Sequence, residues 1–581
     1  MNNHDLKRHW HKISARIGLH LANANTLPLL SILGLITGSL VSAAIITLLL
    51  IIEAGQTAIL SGNHAIAYAH LPLSYRFLLP VMGGLVIGLI LHYLNKEDRQ
   101  LGITHVIERL HYHQAQLPVR NAVIQFITAS LSIISGHSVG REGPGVHIGA
   151  ATGSWFGQWL KLPNHCRRTL VACGVAASIA ASFNTPLAGV IFAMEVIMME
   201  YTMVSFAPVI LAAVSATSIT QAVLGHSALF SVSNINLGSI YELPWILLTG
   251  LIIGVLAALF TRSLLFFTHI LADHPIWQRT TIAGIIVGIC ALPVPSIMGV
   301  GYDVINEILI GEIGILLLLT ITLVKILATT AGIGLGIPGG LIAPTFLIGA
   351  AAGGSIGIIT GLIMPGELAS SPTLFVLIGI CAMMGATLHA PLAALIALLE
   401  LSGNPGVILP GMLAVIGALL VNKEVFGRGS VFIELMRARG LEYKDDPVTQ
   451  GLQRISVTHI MERSVKTITQ KISPEQAARI LKSPPVWLLL ESDEEISPLL
   501  LTADLENYMQ GKMDDDEIDL LQIPAQRLRS CAINLQASLH DALKKLDQSD
   551  SEALHIQHQT NTNTLTYGIL TRDDIKQSYR I

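Results

Sequence analysis

Charged residues are scarce in this chain. Only 13% of its 581 residues are Asp, Glu, Lys or Arg, while 51% are hydrophobic. A soluble domain carries about 25% charged residues, so a wholly soluble protein is excluded. The shortage is uneven. Residues 26–421 are apolar, glycine-rich and nearly without lysine, whereas 422–581 carries charged runs such as Lys512–Glu517. A membrane domain followed by a soluble domain is expected. Cysteine is also sparse: Cys166, Cys173, Cys290, Cys381 and Cys531 are scattered and odd in number. That spacing offers neither a disulfide framework nor a metal cluster, and reads as isolated buried thiols. The net charge of -4 lacks the basic footprint of a nucleic-acid binder. HExxH is missing from the membrane region, as are paired aspartates at membrane depth. Gly353-Gly354-Ser355-Ile356-Gly357 fits the letters of GxSxG but lies in an apolar, helix-like stretch. A nucleophile of that kind needs a strand-to-helix turn, so small-residue packing is the better reading and no enzyme is expected.

What is present is a series of apolar segments. The first, Leu27–Ile52, exceeds the roughly 20 residues that span a bilayer. Lys7, Arg8, Lys12 and Arg16 precede it without a small-residue cleavage site, which favours a cytoplasmic N-terminus rather than a signal peptide. Lys96, Arg99, Arg109 and Arg120 mark a second cytoplasmic loop after the next segment, Phe77–Leu94. Later segments are broken by Gly and Pro. Membranes tolerate such breaks only where the backbone is buried in protein or lines a cavity.

The chain repeats itself. Ile148, Gly149, Ala150, Ala151, Gly153 and Gly157 recur as Ile348, Gly349, Ala350, Ala351, Gly353 and Gly357, an offset of 200. Gly174, Pro186, Leu187, Ala188 and Glu195 recur as Gly379, Pro391, Leu392, Ala393 and Glu400, an offset of 205. Repeated halves with broken segments in matching places point to a transport site between them. The tail has a repeat of its own. Ser497–Met509 resembles Thr566–Tyr579, each an apolar strand, a Thr-x-Asp and a helix-like run. Helix starts stand upstream at Ser473-Pro474-Glu475-Gln476 and Ser538-Leu539-His540-Asp541, followed by strands at Val486–Leu490 and Ala553–Gln557.

Two motifs carry chemistry. Gly140-Arg141-Glu142-Gly143-Pro144 sets a charged pair between apolar segments. An ionisable residue in a membrane is costly and is a functional candidate by default. With Pro144 in the first turn of a helix, Glu142 stands at a helix N-terminus, among N–H groups that attract anions. Its carboxylate can then occupy the seat of a mobile anion; the bland alternative is a structural Arg141–Glu142 arrangement. The second motif, Gly334–Pro344, holds four glycines and two prolines and cannot form a plain helix. The N–H groups of Leu341 and Ile342 are candidate anion donors; the alternative is tight small-residue packing.

These residues resemble the CLC family of chloride channels and proton-coupled chloride antiporters. Gly140–Pro144 and Gly336–Pro344 correspond to two of its motifs, in order, and Phe183–Gly189 and His389–Leu392 to two more. The resemblance covers about 30–440, and the tail resembles tandem CBS domains. It implies a polytopic all-α membrane protein of two inverted repeats with broken and re-entrant helices, followed by an α+β CBS pair. The implied layout is a cytoplasmic segment 1–26, a transport domain 27–440 and a cytoplasmic tail 441–581. It implies a homodimer in the cell membrane, with one pore per subunit and both termini cytoplasmic. Chloride is the implied substrate, with other halides, nitrate and protons as further partners.

Residue by residue, the resemblance makes Glu142 the gate and Gly143, Leu341 and Ile342 part of the anion site. Gly102 falls in the first anion motif, but Gln100-Leu101-Gly102-Ile103-Thr104 lacks that motif's serine. Phe432 stands where the family has an anion-contacting tyrosine. Glu195 is a candidate for a proton path, and Val196 follows it where antiporters often carry an inner glutamate. A valine cannot carry a proton, so a channel or weakly coupled carrier is expected, with a proton-coupled antiporter as the alternative. No cofactor is implied in the membrane domain. In the tail, Thr502, Asp504, Thr571 and Asp574 are candidates for contacting an adenine nucleotide, with purely structural packing as the rival. A CBS-regulated cation carrier would need several acidic residues within spans, and only Glu195 and Glu400 hint at that.

Overall fold

The computed structural model describes residues 27–578 except 60–66, 202, 226–229, 231–236, 365–369, 442–450, 453–454, 492–495, 511–516, 550 and 560–563. The basic N-terminal segment, most of the Lys512–Glu517 run and the boundary near residue 441 therefore lie outside the described residues. The chain forms two compact units. One comprises Leu27–Gln158 and Arg167–Tyr443; the other comprises Lys444–Ile581 together with Trp159–Cys166.

The first unit is helical. Its first half runs through α1 (Leu27–Ile59), α2 (Leu73–His92), α3 (Gly102–Tyr112), α4 (Val119–Ile134), α5 (Glu142–Trp159), α6 (Asn164–Phe183), α7 (Pro186–Phe192) and α8 (Met203–Leu224). The second half repeats the series: α9 (Leu243–Ile270), α10 (Ile276–Ala291), α11 (Tyr302–Leu309), α12 (Ile315–Gly334), α13 (Ile342–Ile363), α14 (Pro372–Leu388), α15 (Pro391–Ser402) and α16 (Ile408–Leu420). A short α17 (Val431–Ala438) follows. Among the described residues, eight helices are long and apolar enough to cross a membrane. The shorter helices are the broken segments expected from the Gly/Pro punctuation. α1 runs two turns past the apolar stretch, through Glu53 and Gln56, and Gln56 donates to the Tyr68 hydroxyl at 3.3 Å.

Small residues set the packing. Each half binds its first helix to its last through glycines that leave no room for a Cβ. Gly34 and Gly38 of α1 abut the Pro208 and Ala212 backbone of α8, and Gly250 and Gly254 of α9 abut Ala414 and Ala418 of α16. α5 meets α6 at Gly149 and Gly174, and α13 meets α14 at Gly349 and Gly379, each glycine facing the other's carbonyl. α2 and α10 meet in the same way, Gly84 against Thr280 and Gly284 against Pro80. Without water to drive helices together, such close backbone approach is the main attraction between membrane helices. The repeat seen in the sequence is thus a repeat of contacts.

The breaks are also duplicated. Asn184 (φ 59°) and His389 (φ 55°) take the left-handed conformation that ends α6 and α14. Pro186 and Pro391 then open α7 and α15 at the first helical position. These two short helices cap one another. Both Glu400 oxygens accept N–H groups at the start of α7, from Leu187 at 2.9 Å and Ala188 at 2.7 Å. Both Glu195 oxygens accept from Leu392 at 3.1 Å and Ala393 at 2.6 Å at the start of α15. Reciprocal contacts of this kind are those of two repeats related by a two-fold axis. Ser355, from the GxSxG letters, lies inside α13 and returns its hydroxyl to the Ala351 carbonyl at 2.8 Å.

The second unit is α+β. Its six-stranded sheet has the order β1-β3-β4-β6-β7-β8, with β1 (Val465–Ile468), β3 (Trp487–Leu490), β4 (Ile496–Leu501), β6 (Leu528–Asn534), β7 (Ala553–Gln559) and β8 (Thr564–Thr571); β2 (Lys471–Ile472) pairs with β5 (Ile518–Asp519). β1 pairs parallel with β3 and β3 antiparallel with β4; β6, β7 and β8 repeat that pattern. Helices α18 (Pro474–Leu481), α19 (Thr502–Met509), α20 (Leu539–Ser549) and α21 (Arg572–Ser578) complete two equivalent units. Ser473 and Gln476 form a full capping box on α18, and Ser538 and Asp541 do the same for α20.

Candidate functional site

The two motifs of the sequence meet in space. Gly140 and Gly340 form an antiparallel bridge, Gly140 N–H donating to the Gly340 carbonyl at 2.8 Å and the reverse bond at 2.7 Å. Two residues past each glycine a helix begins, α5 at Glu142 and α13 at Ile342. Pro144 and Pro344 occupy the third position of each helix and donate nothing. The first-turn N–H groups of Glu142, Gly143, Ile342 and Ala343 therefore have no intrahelical acceptor. Two positive helix ends converge on one buried point. Only glycine permits this. A Cβ on Gly143 would lie 2.7 Å from the Gly340 Cα, and one on Gly340 would lie 2.6 Å from the Gly143 nitrogen.

Glu142 fills that point. It is wholly buried, and the Tyr302 hydroxyl donates to its Oε1. Its Oε2 is buried without a hydrogen-bond partner, beside Gly140 and the first turn of α13. Arg141 stands next to it, with its guanidinium carbon 5.2 Å from the centre of the Tyr302 ring and Nη2 donating to the Ser182 carbonyl at 3.2 Å. Phe183 meets the Tyr302 ring at 5.9 Å.

Tyr302 is the residue that the sequence reading missed. It opens α11 after Gly299 and Gly301, which take positive φ of 64° and 91°. Buried Lys325 of α12 holds the loop before it, donating to the Ile297 carbonyl at 2.9 Å and the Gly299 carbonyl at 3.2 Å. Two glycines ahead of a helix-opening tyrosine were the signal available. Tyr302 also lines a cavity of about 210 Å³, along with Gln56, Tyr68, Arg141, Asp303 and Glu307. Its hydroxyl reaches the carboxylate. A hydrogen bond to a charged group is worth about 1.5–3 kcal/mol, so it is strong enough to hold Glu142 seated. Tyr302→Phe should raise neutral-pH chloride efflux several-fold, and adding it to Glu142→Ala should change nothing further. An additive effect in the double variant would show that Tyr302 acts elsewhere.

The remaining candidates form other groups. Gly102 opens α3 and Phe432 is the second residue of α17, and these two helices pack together. Phe432 is buried and brings no hydroxyl. α3 also packs against the π-helical turn Ala193–Met198, which carries Glu195 and Val196. Both oxygens of Glu195 are committed to α15, as described. In the second unit the Thr571 hydroxyl donates to Asp574 Oδ2 at 2.7 Å, closing a cap on α21. Thr502 opens α19, and its buried hydroxyl oxygen has no partner; Asp504 lies in the same first turn.

The family description "Voltage gated chloride channel" matches residues 83–423. The chain belongs to this voltage-gated chloride channel family. A putative chloride channel protein, ClcB-like, of Ralstonia nicotianae is 33% identical over 373 residues, 62% of this chain and 85% of that protein. The H(+)/Cl(-) exchange transporter ClcA of Vibrio cholerae is 30% identical over 325 residues, 54% of this chain and 68% of its own. In fold, the crystal structure of a eukaryotic CLC transporter covers 94% of this chain and 97% of its own, with TM-score 0.59 and 18% identity. The family match lies almost wholly within the first unit, and the chain is an integral membrane protein.

Proposed function

We propose that this protein moves chloride across the cell membrane through a pathway in which Glu142 is the gate. The observation that carries this reading is the seat of Glu142 where two helix N-termini converge across the Gly140–Gly340 bridge. An anion bound by backbone dipoles without a lysine or arginine contact is held weakly enough to leave. The carboxylate and chloride compete for one seat. When Glu142 is ionised it blocks; when protonated it loses its attraction to the N–H groups and yields. Gly143, Leu341 and Ile342 supply the backbone of that seat, and Gly102 and Phe432 line the pathway beyond it. Other halides and nitrate share the chemistry of the seat. The protein acts as a homodimer with a pathway in each subunit and both termini in the cytoplasm. Residues 27–440 carry the transport, and 441–581 act as a CBS-type pair. Thr502, Asp504, Thr571 and Asp574 mark the two places where an adenine nucleotide would bind that tail.

Coupling to protons is expected to be weak, because Val196 offers no proton acceptor and Glu195 is tied to α15. The test is simultaneous recording of chloride and proton movement from proteoliposomes, with potassium flux as the control. Chloride should move, potassium should not, and a chloride gradient should drive little uphill proton movement. A fixed proton-to-chloride ratio in wild-type protein would instead make it an exchanger, and potassium flux without chloride flux would end the anion reading.

A further inference from the structure

A second helix N-terminus in the membrane unit is served by a side chain that no motif singled out. α3, eleven residues long, opens at Gly102, and Leu101 before it provides no side-chain cap. The Gly102 N–H is already engaged, donating to Oε1 of Gln125 at 2.8 Å. Gln125 lies on α4 and is 0% exposed. Its amide nitrogen, Nε2, is buried without a hydrogen-bond partner. An amide is planar, so fixing its oxygen on Gly102 fixes its two N–H groups beside the start of α3. Leaving a buried donor unsatisfied costs about 1–3 kcal/mol, and native structures rarely keep one without a reason.

Gly102 itself is open on one side. Gly102 has φ +80°, and a Cβ placed on it would meet nothing within 4 Å. Asn121, one turn earlier on the same face of α4, makes a useful contrast. It donates to the Glu97 and Gln100 carbonyls, both at 3.0 Å, and so anchors the segment entering α3. The nitrogen of Asn121 is spent on structure, whereas that of Gln125 is not.

We infer that Gln125 binds the permeating anion and sets its selectivity, donating from Nε2 at the N-terminus of α3. The inference rests on the anion-pathway reading and adds a side-chain ligand to it. An uncharged amide suits transport: two N–H groups contact a halide or a nitrate oxygen without trapping it. A carboxylate at the same place would keep the Gly102 bond but repel the anion. An ammonium would attract it more strongly.

The full-length protein is compared with Gln125→Leu, Gln125→Glu and Gln125→Lys, using calorimetric chloride binding in detergent and the chloride-to-nitrate flux ratio in proteoliposomes. Gln125→Leu should weaken chloride binding by about tenfold and change the ratio. Gln125→Glu, close to isosteric, should weaken it further, and Gln125→Lys should bind more tightly than Gln125→Leu. Unchanged affinity and ratio in a Leu or Glu variant that elutes like wild type would overturn the inference. Wild-type protein that neither binds nor moves chloride would overturn the underlying anion reading instead, so the two failures are separable.

Discussion

Replacing Glu142 by alanine should raise chloride efflux at neutral pH by roughly ten- to thirtyfold. A carboxylate at converging helix N-termini is favoured by up to about 2 kcal/mol, and that preference is what chloride must overcome. At 1.4 kcal/mol per factor of ten, removing the plug releases a factor of about 30. The alanine should also abolish the rise in flux on acidification, because no side chain remains to be protonated at that seat. Arg141 predicts a different outcome. Its Nη2 donates to the Ser182 carbonyl and its guanidinium lies over the Tyr302 ring, so its loss should lower the yield of folded protein rather than open the path. Efflux from Glu142→Ala proteoliposomes that matches wild type at neutral pH would place the gate on another residue.

Substitution of Gly340 by valine should abolish flux, by at least about a hundredfold. The added Cβ would lie 2.6 Å from the Gly143 nitrogen and 3.0 Å from the Gly140 carbonyl oxygen. Both are backbone atoms of the facing motif and cannot swing aside. Overpacking in a core typically costs about 1–3 kcal/mol, but here the strain falls on the bridge that aligns α5 with α13. The N–H groups around Glu142 then no longer point at one seat. Gly340→Ala should show the same defect in milder form. Chloride efflux measured on the fraction that elutes like wild type separates misfolding from a spoiled site. A Gly340→Val protein with efflux within twofold of wild type would mean that the close approach of the two motifs is not needed.

Much of this was legible in the sequence because it is local or periodic. Gly149 and Gly349, or Glu195 and Glu400, match along the chain because the same contact is made twice in space. Glu142 could be read from its setting alone, since a charge between glycines and a proline in an apolar region needs a reason to be there. The cross-capping role of Glu195 and Glu400 could not be read. Each glutamate serves the helix of the other half, and linear spacing does not show which N-terminus a carboxylate reaches. The partners of Tyr302 and Gln125 were hidden for the same reason. Tyr302 meets Glu142 across 160 positions, and Gln125 meets Gly102 from a neighbouring helix. In the tail, strand and helix signals are short-range and placed the elements well. The joining of both repeats into one sheet through β4 and β6 depends on long-range pairing.

The most direct test of the central claim is chloride efflux from proteoliposomes across a pH series, comparing wild type with Glu142→Gln. Glutamine keeps the size of the side chain and can accept from Tyr302, but it has no proton to gain. Wild-type efflux should rise as pH falls, because each protonation neutralises the carboxylate that competes with chloride. Glu142→Gln should conduct at all pH values with little change. If the glutamine variant transports chloride and remains as pH-sensitive as wild type, Glu142 is not the gate and the account is contradicted.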